Sequence, residues 1–519
     1  MRSFVLTLLL LFSLLLTSCS RQERMPGYLY QRLSSDPTTL DPALIVDVSG
    51  GSISAKLYNG LVTFAEDASI VPDLAEHIDL SSDGRTYTFR LKAGVTFSNG
   101  REVTSADFKY SFERVLAKAT KSPRTWLFDR IVGAKEFMDG KAAGVAGIET
   151  PDPHTLKITL VAPFGPFLGL LAMPGGYVIP REDVERLGPD FSDHPVGTGP
   201  YTLTGWKHGD SLVLKANPGY NGEKPGLAGI SYRVIPEDLT AVAEFERGGL
   251  DSLAVPAPEY RRYTGDARWK DLVVSRVGMN TYYMGLNCGR PPFDNPLVRR
   301  AVSAAIDRKR ILDTIYEGRG LLARGPVPQS LMTQDISPEA YDPAAARRLL
   351  AESGHKDGLS VKIYIGAEQE TLDMVEVIQQ YLAAVGIKAS IVQLEWSAYK
   401  QAVNNGDADA FWLSWQADYP DPENFLFPVF YSGNFGSAGN RARFKDPEFD
   451  ALITKAQAEP DGNKRLELYR AAQSRVVAQA PWVFFWHKMD VVVRQPWVKG
   501  LRLYPINNAD KGLGISISR

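Results

Sequence analysis

Between Ser360 and Trp396 the chain changes its apolar period twice, and this constrains the fold more than any other feature. Ser360–Ile365, SVKIYI, alternates as a strand does; Leu372–Gly386, LDMVEVIQQYLAAVG, carries the helical period and is closed by Gly386; Ile387–Trp396, IKASIVQLEW, returns to alternation. A strand, a helix and a second strand in that order predict a parallel pair joined by a right-handed crossover, because a helix is the usual connection that brings a chain back alongside itself in parallel. The fold class expected is α/β.

Other segments extend this expectation. Leu40–Thr63 predicts a turn at Asp41-Pro42, a loop at Gly50-Gly51 and a helix ending at Asn59-Gly60. Tyr87, Phe89 and Leu91 alternate with Thr86, Thr88 and Arg90, the pattern of a half-buried strand in a hairpin. Thr104 to Asp107 reads as a helix start, with Phe108, Phe112 and Val115 at helical spacing behind it. Glycine and proline surround two short alternating strands in Pro195–Tyr220. One long helix is expected over Pro296–Tyr316 and another from Ala344 to Gly354, with terminal strands in Trp482–Arg494 and Leu501–Ile506. The absence of a 20 to 50 residue repeat argues against a solenoid or propeller.

The first eighteen residues, MRSFVLTLLLLFSLLLTS, have one charge, Arg2, and an apolar run from Phe4 to Leu16. A membrane-spanning helix needs about 20 apolar residues, whereas a run of this length suits a cleaved export signal. The sequence Leu16-Thr17-Ser18-Cys19 resembles the lipobox of bacterial lipoproteins, which implies a signal peptide at 1–18, lipidation of Cys19, a polar tether at 19–27 and a body held to a membrane through acyl chains. An ordinary secretory signal with a chance cysteine and an uncleaved anchor are the alternatives. Ser20 resembles the outer-membrane sorting signal of Gram-negative lipoproteins. With 44% hydrophobic and 23% charged residues, the chain as a whole has ordinary globular composition, and its length suggests two to four domains. The formal charge of −2 lacks any basic block, so no nucleic-acid partner is expected. Cys288 is the only other cysteine; its setting, YYMGLNCG, predicts a small buried residue at a strand end rather than a disulfide.

Enzyme signatures are missing. There is no G-x-S-x-G, H-E-x-x-H or phosphate-binding glycine loop, and the six histidines are isolated from one another. No catalytic residue, metal site or cofactor is expected. Aromatic residues are instead concentrated between Trp396 and Tyr431, interleaved with Asp418, Asp421 and Glu423. Trp412, Phe425, Phe427 and Phe430 read as core. Trp415 and Asp418 follow the alternating run ADAFWLSW at a strand end, where α/β proteins place ligands, and prolines 420 and 422 stiffen the loop. An ammonium group between aromatic faces and Asp418 would gain a charge-assisted hydrogen bond and a cation–π contact. The acidic run also raised a glycosidase-like pair of carboxylates, but a rigid loop equally suits binding.

Eight segments, in order, carry a family resemblance: Leu57–Val62 (LYNGLV), Pro72–Glu76 (PDLAE), Ser82–Val95, Thr104–Phe108 (TSADF), Gly197–Tyr201 (GTGPY), Asn217–Tyr220 (NPGY), Phe293–Arg308 and Asp418–Phe425 (DYPDPENF). The chain resembles the solute-binding proteins of peptide ABC importers, the dipeptide and oligopeptide type known as solute-binding family 5. The resemblance implies a periplasmic binding protein-like α/β fold with two lobes around a cleft and an inserted domain. Domain I would comprise 28–56, 196–284 and 495–519, domain II 57–195 and domain III 285–494, with hinge crossings near Asn280–Asn287 and Val491–Gln495. It implies a monomer that binds a peptide as an added strand and delivers it to permease subunits in the inner membrane. Asp418 falls at the aspartate that holds the peptide amino group, Trp415, Tyr419 and Trp396 fall around the pocket, and Val46 and Val48 fall where the opposite lobe offers main chain. Arg441 and Arg443 are candidates for the ligand carboxylate, though surface charge reads better for both. A nickel chelate, haem, an opine or an oligosaccharide is the alternative ligand, and an extracytoplasmic enzyme or chaperone-like lipoprotein the alternative class.

Overall fold

The structure is a computed structural model that describes residues 24–518. The signal, Cys19 and most of the tether therefore lie outside the described residues.

Three sheets organise the chain. In the first, Tyr28–Leu33 runs parallel to Gly229–Val234, which continues antiparallel through Ser211–Ala216 to Tyr201–Lys207. Leu29, Leu212, Leu214 and Ile230 from these strands pack with Ile53 and Leu57 of the helix Val48–Leu57. The second is antiparallel, in the order Ala75–Leu80, Thr86–Leu91, Thr155–Thr159, Ile148–Asp152. Tyr87, Phe89 and Leu91 are buried as their alternation predicted, in one core with Phe108 and Phe112 of the helix Ser105–Leu116. The Asp107 carboxylate accepts from the Thr104 amide at 2.8 Å and so begins that helix.

The third sheet has eight strands and contains the crossover: Leu359–Ile365 and Ile387–Gln393 pair in parallel throughout, joined by the helix Gln369–Ala383. Its spine is the 13-residue strand Trp482–Arg494. The first half pairs with Asn280–Leu286 and Gly320–Leu322, and the second with Val273–Val277 and Ser252–Ala254. The long strand thus joins two bodies of structure. At the change of partners, Lys488 N donates to Asn280 Oδ1 at 2.6 Å and the His487 ring donates from Nδ1 to Asn280 O at 2.7 Å. His487 is fully buried, which pushes its pKa down to about 4.

Three expectations need correction. Gly50 and Gly51 are helical, because Asp47 caps the helix Val48–Leu57 from the Gly50 amide at 2.7 Å, ahead of the glycines. The helix expected over 296–316 divides into Pro296–Ala305 and Arg308–Thr314: Asp307 starts a new helix by accepting from Arg310 N at 2.9 Å, and buried Arg308 donates to Phe484 O and Glu339 O. Leu501–Ile506 forms no strand; the terminal pairing is Val498–Lys499 with Ser516–Ile517. Cys288 follows the strand Asn280–Leu286, partly buried and unbridged, with burial raising its thiol to about 11.

The glycines of Gly197-Thr-Gly-Pro-Tyr have a steric cause. A Cβ on Gly197 would lie 2.2 Å from Leu57 O, and one on Gly199 would lie 2.4 Å from Leu57 C and Lys56 O. The Gly199 amide donates to Leu57 O at 2.8 Å, and Thr198 donates to Asn59 Oδ1 at 3.0 Å. This stretch clasps the end of the helix Val48–Leu57 and the start of the segment that builds the second sheet.

Candidate functional site

Asp418 is displayed by a loop whose other polar residues are occupied in shaping it. The strand Ala410–Gln416 pairs with Asn280–Leu286 on one side and with Leu359–Ile365 on the other, and it delivers Trp415 and then Asp418 at its end. Asn424 Oδ1 accepts from the Asp418 amide at 2.9 Å, and Asp421 Oδ1 accepts from the Glu423 amide at 2.8 Å. The Tyr419 hydroxyl donates to Glu423, whose other oxygen accepts from Gln457 Nε2 at 2.5 Å. Burial raises the Glu423 carboxyl to about 7, opposed by its hydrogen bonds to Tyr419 and Gln457 and reinforced by Asp421.

Opposite the loop stand residues of 124–170. A cavity of about 430 Å³ lies between them, with Arg124, Trp126 and Arg130 on one side and Trp415, Asp418 and Phe427 on the other. Arg124 Nη1 is 3.7 Å from Asp418 Oδ1, and Arg124 Nε donates to Ile45 O at 3.3 Å. Burial raises the Asp418 carboxyl, while Arg124 and Asn424 hold it down. Trp415 Nε1 is buried without a hydrogen-bond partner, leaving a donor for which a ligand oxygen is a suitable acceptor. The lining offers three acids, Asp129, Asp418 and Glu423, two guanidinium groups, aromatic faces and an unused N–H, and among the described residues it includes no Ser, Thr or Cys.

The structure brings together Trp415, Asp418 and Tyr419, although the Tyr419 hydroxyl is committed to Glu423 and its ring is buried. Val46 and Val48 are 54% and 65% exposed, beside the Ile45 carbonyl that Arg124 binds; Val48 is the first helical residue rather than extended chain. Trp396 opens the helix Trp396–Asn405, is 53% exposed and does not line this cavity. Lys400 Nζ lies 5.4 Å over its ring. Trp412, Phe425 and Phe430 are core, but Phe427 lines the cavity. Arg441 donates to Asn404 Oδ1 at 2.9 Å and Arg443 to Asn404 O at 3.2 Å, so both brace the end of the helix Trp396–Asn405.

Arg124, Trp126 and Arg130 were missed. Their signal was the interleaving of arginine with aromatics in Arg124-Thr-Trp-Leu-Phe-Asp-Arg130, whose importance depends on what faces it. A second cavity, of about 590 Å³, adjoins Lys488–Val492 of the long strand and includes Tyr260, Arg319, Glu370 and Tyr504. Among the described residues, no cluster of His, Cys, Asp or Glu is arranged to hold a metal, and no helix is long and apolar enough to cross a membrane.

The sequence model for bacterial extracellular solute-binding proteins, family 5, matches residues 69–437. The chain belongs to this family. It is 30% identical over 506 residues to heme-binding protein A of Haemophilus influenzae, covering 93% of this chain and 90% of that protein. Di/tripeptide-binding protein 2 of Pseudomonas aeruginosa is 31% identical over 498 residues, 91% of this chain and 92% of the relative. Among solved structures, the periplasmic binding protein DppA from Helicobacter pylori in complex with the peptide STSA superposes with a TM-score of 0.77 at 27% identity, covering 97% of this chain and all of that one. The architecture of this family 5 protein is accordingly the two-lobed, periplasmic binding protein-like α/β fold, and the family serves transporters as their substrate-binding component.

Proposed function

We propose that this family 5 protein is the extracytoplasmic peptide-binding subunit of an ABC importer, anchored through lipidated Cys19 and acting as a monomer. The observation that carries the reading is Asp418, fixed by Asn424 at the end of the strand Ala410–Gln416 beside the unpaired Trp415 N–H. A carboxylate at least partly removed from water and facing an aromatic-lined cavity suits a peptide ammonium, and the indole N–H suits a peptide carbonyl. Peptide-binding relatives, including the Pseudomonas aeruginosa di/tripeptide-binding protein, support the same reading. The proposed lobes are domain I (28–56, 196–284, 495–519) and domain III (285–494), with domain II (57–195) contributing Arg124 to the cleft. The second half of the long strand Trp482–Arg494 pairs with Ser252–Ala254 and Val273–Val277 of domain I, which favours placing the crossing expected at Val491–Gln495 nearer Lys488 and counting 489–494 with domain I. Ligand that touches both lobes only when they close shifts the population toward the closed form.

A peptide pool added to the purified protein tests this. Binding is expected to raise the melting temperature, since ligand stabilises only the folded state, and to change tryptophan fluorescence, since Trp126 and Trp415 line the cavity. No response to di-, tri- or tetrapeptides would remove the peptide reading. Mass spectrometry of the membrane fraction tests the anchor: an acylated N-terminal Cys19 is expected, and a chain retaining residues 1–18 contradicts it.

A further inference from the structure

Two guanidinium groups line the cavity beside the carboxylate proposed for the ligand ammonium. Arg130 stacks its guanidinium over Phe164 at 4.2 Å and, among the described residues, has no carboxylate within ion-pair distance. Arg124 touches Asp418 only at 3.7 Å, outside ordinary hydrogen-bond length. A peptide ammonium arriving at Asp418 competes with Arg124 for that carboxylate and leaves the guanidinium facing the same ligand. The Trp415 Nε1 donor adds an unpaired N–H of the same polarity. Of the cavity's other acids, Glu423 is already bound by Tyr419 and Gln457, and Asp129, whose carboxyl burial raises and the neighbouring Arg130 charge lowers, forms no ion pair with that guanidinium. Planar guanidinium groups bind carboxylates in a bidentate manner, and partial burial strengthens such pairs.

We infer that Arg124 and Arg130, from the 57–195 segment, form a carboxylate subsite opposite Asp418, so that the cavity selects short peptides carrying an anionic group near a free amino terminus. This rests on the peptide reading above. The carboxylate has two sources, an acidic side chain or the peptide C-terminus. Calorimetry with Ala-Glu-Ala, Ala-Gln-Ala and Ala-Gln-Ala amide separates them.

The wild-type protein is expected to lose at least tenfold in affinity at one step of that series: the first step if the acidic side chain is read, the second if the C-terminus is read. Arg130→Gln is expected to flatten that step to under threefold, and Arg130→Lys to restore part of it. Arg124→Gln should flatten it in the same direction. Intact melting temperatures would show that each variant is folded. Equal wild-type affinity for all three peptides, or a step that survives in Arg130→Gln and Arg124→Gln, overturns the inference while the peptide reading stands. Failure of the wild type to bind any of them overturns the peptide reading as well.

Discussion

Arg124 reaches Asp418 from the opposite wall of the cavity, Nη1 to Oδ1 at 3.7 Å, while its Nε donates to the carbonyl of Ile45. One side chain thereby ties together three stretches of chain separated by 79 and 294 residues. The carboxylate proposed to hold a ligand cation already faces one.

Asp418→Asn removes the charge and nearly preserves the shape. Affinity for free-amine peptides should fall by about 1.5 to 3 kcal/mol, the size of a hydrogen bond to a charged group, while N-acetylated peptides should be nearly indifferent. Isothermal titration of both peptide forms against both proteins measures the difference. Equal losses for the two forms would mean that Asp418 does not read the amine.

Glu423 makes stability depend on pH. Its carboxyl keeps a proton to about pH 7 in the folded state, against an ordinary value of 4.5. Between these values the folded state binds more protons than the unfolded one, so this contribution is complete below pH 4.5 and declines as pH rises through 7. The span corresponds to about 3 kcal/mol. Urea unfolding of Glu423→Gln and wild type at pH 5 and pH 8 should show the variant gaining relative to wild type at the higher pH.

His487 acts in the opposite direction. Burial holds the ring neutral down to about pH 4, whereas in the unfolded chain it protonates near 6.5. Its contribution is therefore complete above pH 6.5 and is lost as pH falls toward 4, again about 3 kcal/mol in total. His487→Gln should show a shallower fall in unfolding free energy between pH 7 and pH 4, and an unchanged slope would mean that another group governs the acid limb.

Gly199→Ala tests the clasp. The added methyl would meet Leu57 C and Lys56 O at 2.4 Å, backbone atoms that cannot rotate away. A loss of about 1 to 3 kcal/mol is expected from overpacking, read as a lower melting temperature.

Much of the architecture was legible locally. The crossover Leu359–Gln393 and the buried alternation Tyr87-Phe89-Leu91 formed as expected because their periodicity matched a single buried face. The helix expected at 296–316 broke at Asp307 because the capping carboxylate and the buried Arg308 outweighed a periodic pattern that ran on past them. Gly50 and Gly51 suggested a loop, yet the Asp47 cap set the helix start before them.

The sequence by itself determined the α/β class, the family and the placement of Asp418 after a strand, because these depend on local period, turn chemistry and ordered motifs. Only the tertiary structure decided what faces Asp418. The interleaved arginines and aromatics of 124–130 are an ambiguous local mark, since a guanidinium between aromatics reads as surface until folding sets it across a cavity from a carboxylate. Folding also separated the acids of Asp418–Glu423: Asp421 and Glu423 are occupied in shaping the loop, which leaves the Asp418 carboxylate turned to the cavity. That division of labour depends on Tyr419, Asn424 and Gln457 meeting in space, and the linear order of residues does not specify such a meeting.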